Sequence, residues 1–147
     1  MKIFLGADHA GFKLKESIKK ILSEAGYNIN DQGNIILDSN DDYPDYSLAV
    51  SKKVIDEEDS RGIIICGSGQ GACIAANKMK GIRGAVISNI EEAIKSREHN
   101  DSNILCLSGW YLHEDEALAI IQKWLETPFS NEERHIRRLK KISDIEL

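Results

Sequence analysis

The chain has 147 residues, of which 41% are hydrophobic and 29% are charged, as expected for one globular domain that spans residues 1–147. Its 24 acidic residues outnumber its 19 basic ones, and the net charge of −5 argues against a general nucleic-acid-binding protein. No apolar run is long enough to cross a membrane, and the N-terminus MKIFLGADHAG lacks the apolar core of a signal peptide, so we expect a cytoplasmic protein.

Short apolar runs alternate along the chain with longer segments of helical periodicity. The predicted strands are IFLGA (3–7), the weaker YNIND (27–31), GIIICG (62–67), RGAVIS (83–88) and NILCLSG (103–109). The predicted helices are FKLKESIKKILSEAG (12–26), YSLAVSKKVIDEE (46–58), QGACIAANKM (70–79), IEEAIKSREHN (90–100), EDEALAIIQKWLE (114–126) and a last, basic helix at roughly 131–142. This alternation predicts a Rossmann-like three-layer α/β/α fold with a five-stranded parallel sheet, which binds ligands at the carboxyl ends of its strands.

Polar and reactive residues follow these predicted strands. Asp8 and His9 come after the first strand, and Cys66 ends the third. We expect His99 and Asn100, which end the fourth helix, to lie at the same edge of the sheet. No HxH, HxxxH or clustered carboxylate spacing is present, so the sequence predicts no metal site.

The loop after Cys66 is rich in glycine and consists of Gly67, Ser68, Gly69, Gln70 and Gly71. It matches the loose pattern GxGxxA, but no acidic residue follows at the end of the next strand, which argues against a dinucleotide site. Its backbone amides, at the start of a helix, suit a phosphate or an oxyanion formed during a reaction. The alternative is a tight turn that merely requires glycine.

Cys66 lies where a helix dipole and several amides are expected to lower the pKa of a thiol, which favours a thiolate nucleophile or base. The alternative is a small side chain packed at a strand end, which is also our prediction for Cys73 and Cys106. The Ser68 hydroxyl has two possible functional roles, which are to orient the thiolate or to donate a hydrogen bond to a substrate oxygen. The alternative is a loop hydroxyl that bonds only to a local amide.

Other candidates carry charge. Asp8 suits either the binding of a sugar hydroxyl or the capping of the first helix. His99 lies at the C-terminal end of a helix, where the helix dipole favours the protonated imidazole. Arg134 and Arg138 are four residues apart and share a helix face that suits a phosphate, unless the face is simply solvated. For His113 and His135 we predict surface or helix-end positions.

Five stretches together resemble the ribose-5-phosphate isomerase type B family, which includes the galactose-6-phosphate isomerase subunits. They are GADHAGFKLKE (6–16), DYPDY (42–46), ICGSGQGACIAANKMKGIR (65–83), SREHNDSNIL (96–105) and ERHIRR (133–138). The resemblance implies an aldose–ketose isomerase of the pentose phosphate pathway, independent of metals and cofactors, that interconverts ribose 5-phosphate and ribulose 5-phosphate. It also implies that Cys66 is the base that moves a proton between C2 and C1 through a cis-enediolate.

The resemblance assigns further roles. Gly67–Gly71 form the anion hole with help from Ser68, His99 opens the furanose ring as an acid, and Asp8 and Asn100 bind sugar oxygens. The residues at phosphate-binding positions of the family are His9, Arg134 and Arg138. Family members are dimers or tetramers with active sites across the subunit interface. We therefore expect a homodimer or tetramer in which some site residues act in trans. We expect no membrane or nucleic-acid partner.

One position departs from the family pattern. Trp110 stands where the family usually has a phosphate-binding arginine, and Glu132 and Glu133 add negative charge before the last helix. The alternatives are therefore an isomerase of another sugar, such as allose 6-phosphate or an unphosphorylated sugar, or a non-catalytic sugar-phosphate-binding module. The presence of Cys66 and His99 argues against a protein that only binds.

Overall fold

The computed structural model describes residues 1–147, and its centre is one parallel sheet of five strands. The strands are β1 (Lys2–Ala7), β2 (Asn28–Asp31), β3 (Ser60–Cys66), β4 (Gly84–Val86) and β5 (Ile104–Ser108). Their spatial order is β2-β1-β3-β5-β4, and all neighbours pair in parallel. The predicted α/β class and the five-stranded parallel sheet are confirmed.

Six helices connect or follow the strands. They are α1 (Phe12–Glu24), α2 (Tyr43–Asp56), α3 (Gln70–Ala76), α4 (Ile90–Asn100), α5 (Glu114–Glu126) and α6 (Glu133–Ser143). Helix α2 begins three residues earlier than predicted, because Pro44 fits the first turn, where no backbone donor is needed. Helix α3 ends three residues earlier, and Asn77 after it bonds through its side chain to both backbone groups of Gly84 on the edge strand β4.

The sheet separates two apolar clusters, as the continuous apolar strands predict. One cluster joins Ile3, Leu5 and Ile63 to α1, α4 and α5, and includes the fully buried Trp124. The other joins Phe4 and Ile64 to α2 and α3. None of the helices is long and apolar enough to cross a membrane.

Two edges of this sheet matter for function. We call the edge where the strands end the carboxyl edge; it holds Asp8, Cys66 and Ser108. We call the edge where the strands begin the amino edge; it holds Lys2, Ser60 and Ile104. The connection after β1 runs to β2 on one side, whereas the connection after β3 runs to β4 on the other side. The carboxyl ends of β1 and β3 therefore flank the point where the strand order reverses, which is where folds of this kind have their ligand-binding crevice.

Gly62 allows α2 to pack closely on the sheet, since a Cβ there would lie 2.6 Å from Val50 Cγ1 and 3.1 Å from a side-chain carbon of Ile104. We expect Gly62→Ala to lower the free energy of unfolding by about 1–3 kcal/mol, as other overpacked cores do. Urea denaturation measures this. Gly84→Ala is the control, because its nearest neighbour would be 3.3 Å away, and equal losses in the two variants would contradict the packing argument.

Candidate active site

Three neighbouring strand ends form the floor of the site at the carboxyl edge. The amide of Asp8, just after β1, donates to the carbonyl of Ile65 at 3.3 Å. On the other side the amide of Gly109, just after β5, donates to the carbonyl of Cys66 at 2.8 Å. These bonds hold the loops after β1 and β5 against the end of β3, so that Cys66 lies in the middle of the set.

Burial determines the acidity of Cys66. The side chain packs with the apolar cluster under α2 and α3 and is only 4% exposed, and this burial raises the pKa of its thiol. Amides of Ala72, Gly69 and Ser68 lower the pKa but do not outweigh burial, and the charge of Asp8 raises it further. The expectation of a lowered pKa is therefore wrong, because sequence reasoning counted the amides and omitted the desolvation.

Several amides of the glycine loop have no oxygen as a partner, and those of Ser68 and Gly69 face the sulfur of Cys66 instead. The amides of Gly67, Ser68, Gly69 and Gly71 donate to no oxygen of the chain. Gly69 has a φ of +81°, a left-handed conformation that glycine tolerates, and it turns the chain into α3. The Ser68 hydroxyl accepts a bond of 3.3 Å from the amide of Gln70, so the local role foreseen for it is present, while its own proton remains free to donate.

Two aromatic side chains cover the flanks of this loop. A Cβ on Gly67 would lie 2.5 Å from the indole of Trp110, and a Cβ on Gly71 would lie 2.6 Å from the ring of Tyr43. These glycines are therefore needed for close approach of the rings as well as for the turn. Trp110 remains 66% exposed and lies over the backbone of Gly67, the residue after Cys66.

Asp8 has one occupied and one unoccupied carboxylate oxygen. Its Oδ1 accepts bonds from the amides of Ala10 at 3.0 Å and Gly11 at 3.1 Å and so fixes the turn before α1. The capping role considered from the sequence is wrong, because Gly11 is itself the cap of α1 and no side chain bonds to the first turn of the helix. Its Oδ2 has no partner in the chain. Burial raises the pKa of Asp8 against the effect of these amides. The residue can therefore both fix the loop and bind a sugar hydroxyl.

His9 is paired with a residue that sequence reasoning missed. Its ring Nδ1 lies 2.7 Å from Oδ1 of Asp41, in the loop between β2 and α2. Asp8, His9 and Asp41 can present ligand atoms within 4.8 Å of one another, but Nδ1 of His9 and Oδ1 of Asp41 already bond each other. The available signal was topological, because the loop after β2 starts at the same carboxyl edge as Asp8.

His99 and Asn100 lie at the amino edge of the sheet. The prediction that they lie at the same edge as Cys66 of their own chain is therefore wrong. Helix α4 starts at the carboxyl edge and runs back, and Arg83 Nε, just before β4, donates to the carbonyl of Asn100 at 3.1 Å. The distance between the edges is roughly 16 Å, the length of the five-residue strand β5. This is far beyond hydrogen-bond reach of Cys66.

The amino edge gathers the remaining candidates. The ring of His99 packs on the ring of His135, with centroids 4.4 Å apart. His135 is buried and bonds to Ser130 Oγ at 2.8 Å, so its predicted surface position is wrong. Burial and the neighbouring charge of His99 lower the pKa of His135.

The predicted surface position of His113 and the predicted burial of Cys73 and Cys106 as free thiols are confirmed.

Arg134 and Arg138 follow His135 on the same helix. Both are exposed, and Nε of Arg134 bonds to Glu132 at 2.8 Å, whereas Arg138 forms no ion pair within the chain. The structure thus divides the predicted site into two groups. The carboxyl-edge group contains Asp8, His9, Cys66 and the glycine loop, and the amino-edge group contains His99, Asn100, Arg134 and Arg138.

Comparisons with known proteins agree with one another. The family model described as Ribose/Galactose Isomerase matches residues 3–142. The ribose-5-phosphate isomerase B of Mycolicibacterium paratuberculosis is 39% identical over 146 residues, which cover 99% of this chain and 92% of that protein.

Solved structures extend the agreement to the fold. The ribose-5-phosphate isomerase B of Clostridium thermocellum is 46% identical with a TM-score of 0.95, covering 99% of this chain and 97% of the other. The enzyme of Mycoplasma genitalium, solved with bound ribulose-5-phosphate, is 39% identical with a TM-score of 0.93, covering 97% of this chain and 94% of the other.

The raised pKa of Cys66 predicts how its reactivity changes with pH. Because only the thiolate reacts, we expect the rate of alkylation of Cys66 by iodoacetamide to rise about tenfold per pH unit between pH 6 and pH 8. Mass spectrometry with fragmentation separates Cys66 from Cys73 on the same peptide. A rate that is already constant below pH 7 would contradict the dominance of burial over the amides.

Proposed function

The chain belongs to the ribose/galactose isomerase family, and we propose that it interconverts ribose 5-phosphate and ribulose 5-phosphate at the crevice beside Cys66. The observation that carries this proposal is the position of a buried thiol directly below a loop with four amides that donate to no oxygen of the chain. A base and a set of anion-stabilising donors are the two components that proton transfer next to a carbonyl group requires.

The chemistry follows from this arrangement. The Cys66 thiolate removes the proton from C2 of the open-chain aldose, and the carbonyl oxygen at C1 becomes an enediolate oxygen. The amides of the glycine loop, including those of Gly67 and Gly71 that have no partner in the chain, hold that negative charge. The thiol then returns the proton to C1, while the hydroxyl proton on O2 moves to O1, and the ketose results. Asp8 Oδ2 binds a sugar hydroxyl.

A second copy of the chain completes the site. His99, the proposed acid that opens the furanose ring, lies at the amino edge and cannot reach the Cys66 of its own chain. A two-fold dimer that places the amino edge of one subunit over the carboxyl edge of its partner brings both groups together twice. Asn100, Arg134 and Arg138 then reach the partner's substrate, and the guanidinium groups bind its phosphate.

Trp110 supports a second candidate substrate. The indole forms an exposed apolar wall beside Gly67, in place of the cation that the family usually has at this position. Loss of one charge-assisted contact weakens phosphate binding by about 1.5–3 kcal/mol. An aldose with less dependence on that contact, such as allose 6-phosphate or an unphosphorylated sugar, is therefore the alternative.

A reactive thiol base also fits a reducing compartment, which supports a cytoplasmic location.

Subunit complementation tests both the base and the shared site. We expect Cys66→Ser and His99→Asn each to lower kcat by about a hundredfold or more, since each removes an acid–base group. Equal mixtures, refolded together, should recover about a quarter of wild-type activity, because half of the dimers then contain one intact site. No recovery, although both variants fold and associate, would contradict the placement of Cys66 and His99 on different subunits.

A panel of sugars tests the substrate and the role of Trp110. We expect ribose 5-phosphate to be preferred over ribose, and Trp110→Arg to lower the KM for ribose 5-phosphate by about tenfold without changing turnover of ribose. Tyr111→Arg is the matched control, because it adds the same charge at the neighbouring exposed aromatic residue. Equal turnover of ribose and ribose 5-phosphate by the wild-type enzyme would contradict the phosphate role of Arg134 and Arg138.

A further inference from the structure

His9 makes two contacts with a single oxygen of Asp41. Its backbone amide donates to Oδ1 at 3.0 Å, and its ring Nδ1 lies 2.7 Å from the same atom. The side chain of Asp41 is only 5% exposed, whereas that of His9 is 41% exposed. The ring therefore has its Nδ1 side against a buried carboxylate, and its Nε2 forms no hydrogen bond within the chain.

The carboxylate of Asp41 is itself fixed from the core. Its Oδ2 accepts a bond of 3.0 Å from the side-chain amide of Asn34, a residue that is 4% exposed. The carbonyl of Asn34 accepts a bond of 2.6 Å from Lys15 Nζ, which is fully buried and also paired with Asp31. This series of bonds holds Asp41 in one position and thereby sets the orientation of the His9 ring.

The charges around His9 favour its protonated form. The hydrogen bond to Asp41 raises the pKa of His9 despite an opposing effect of burial, and the charges of Asp8, Asp41 and Asp38 add to the increase. Burial alone would raise the pKa of Asp41, but bonds from the ring and amide of His9 and from Tyr46 on α2 bring it below its usual value. Both directions favour an imidazolium–carboxylate pair over the neutral pair.

We propose that Asp41 is a positioning residue that keeps His9 cationic and aims its Nε2 at the substrate, and so sets the pH range in which a phosphosugar binds. The proposal rests on the proposed function in one respect, namely that His9 contacts the phosphate. A phosphate dianion binds most tightly to donors that are charged and held in place. Asp41 supplies both properties without touching the substrate.

Asp41→Asn is the test, and Asp38→Asn is its matched control. Both changes remove one negative charge from the same loop, but Asp38 makes no hydrogen bond to His9. NMR titration of the full-length protein gives the pKa of each histidine, and His9→Gln identifies the His9 resonance. We expect the pKa of His9 to fall in Asp41→Asn and to stay closer to the wild-type value in Asp38→Asn.

Steady-state kinetics as a function of pH provides the functional readout. Above the lowered pKa, we expect the KM of Asp41→Asn for ribose 5-phosphate to be about tenfold higher than that of the wild type, with kcat changed less than twofold. Acidification below that pKa should restore the KM. A His9 pKa equal in the two variants, or a KM increase that does not depend on pH, would overturn the positioning role.

The same variants separate this proposal from the proposed function. If no phosphosugar is turned over by the wild-type protein, the proposed function fails, and NMR titration with inorganic phosphate replaces the kinetic readout. Weaker phosphate binding in Asp41→Asn than in Asp38→Asn then supports the role of Asp41. Equal binding in the two variants overturns it.

Discussion

Parallel strand pairing is the constraint on which the arrangement of the site depends. In a sheet whose strands are all parallel, residues that follow strands gather at one edge, and residues that end the return helices gather at the other. Asp8 and Cys66 follow strands, whereas His99 and Asn100 end α4. The fold therefore separates the proposed base from the proposed ring-opening acid by the length of a strand, which is why the proposed active site draws on two subunits.

The electrostatics of Cys66 follow from the same sheet. The end of a central strand is buried by helices on one face, so the thiol is desolvated and its pKa rises, although amides of the glycine loop approach it. A less acidic thiol gives a stronger base once it is ionised, which suits removal of a proton from carbon. In the proposed mechanism, loop amides that donate to no oxygen of the chain stabilise the charge that forms on the substrate oxygen.

At the rim of the crevice, a buried charge network organises an exposed residue. Lys15 cannot be buried without partners, and its bonds to Asp31 and to the Asn34 carbonyl satisfy its ammonium group. Asn34 then holds Asp41, and Asp41 holds His9. Trp110, by contrast, is positioned by contact with Gly67, so an imidazole and an indole lie at the two flanks of Cys66.

The sequence alone determined the fold class, since continuous apolar strands that alternate with amphipathic helices require a covered parallel sheet. It also placed Cys66 at the end of a strand and the glycine loop in the turn before a helix, because a strand end and a turn are local features. Only the tertiary structure decided the direction in which α4 carries His99, the burial that raises the pKa of Cys66, and the pairing of His9 with Asp41 across 32 positions. These properties depend on strand order, solvent exclusion and contacts between distant segments, none of which local periodicity encodes.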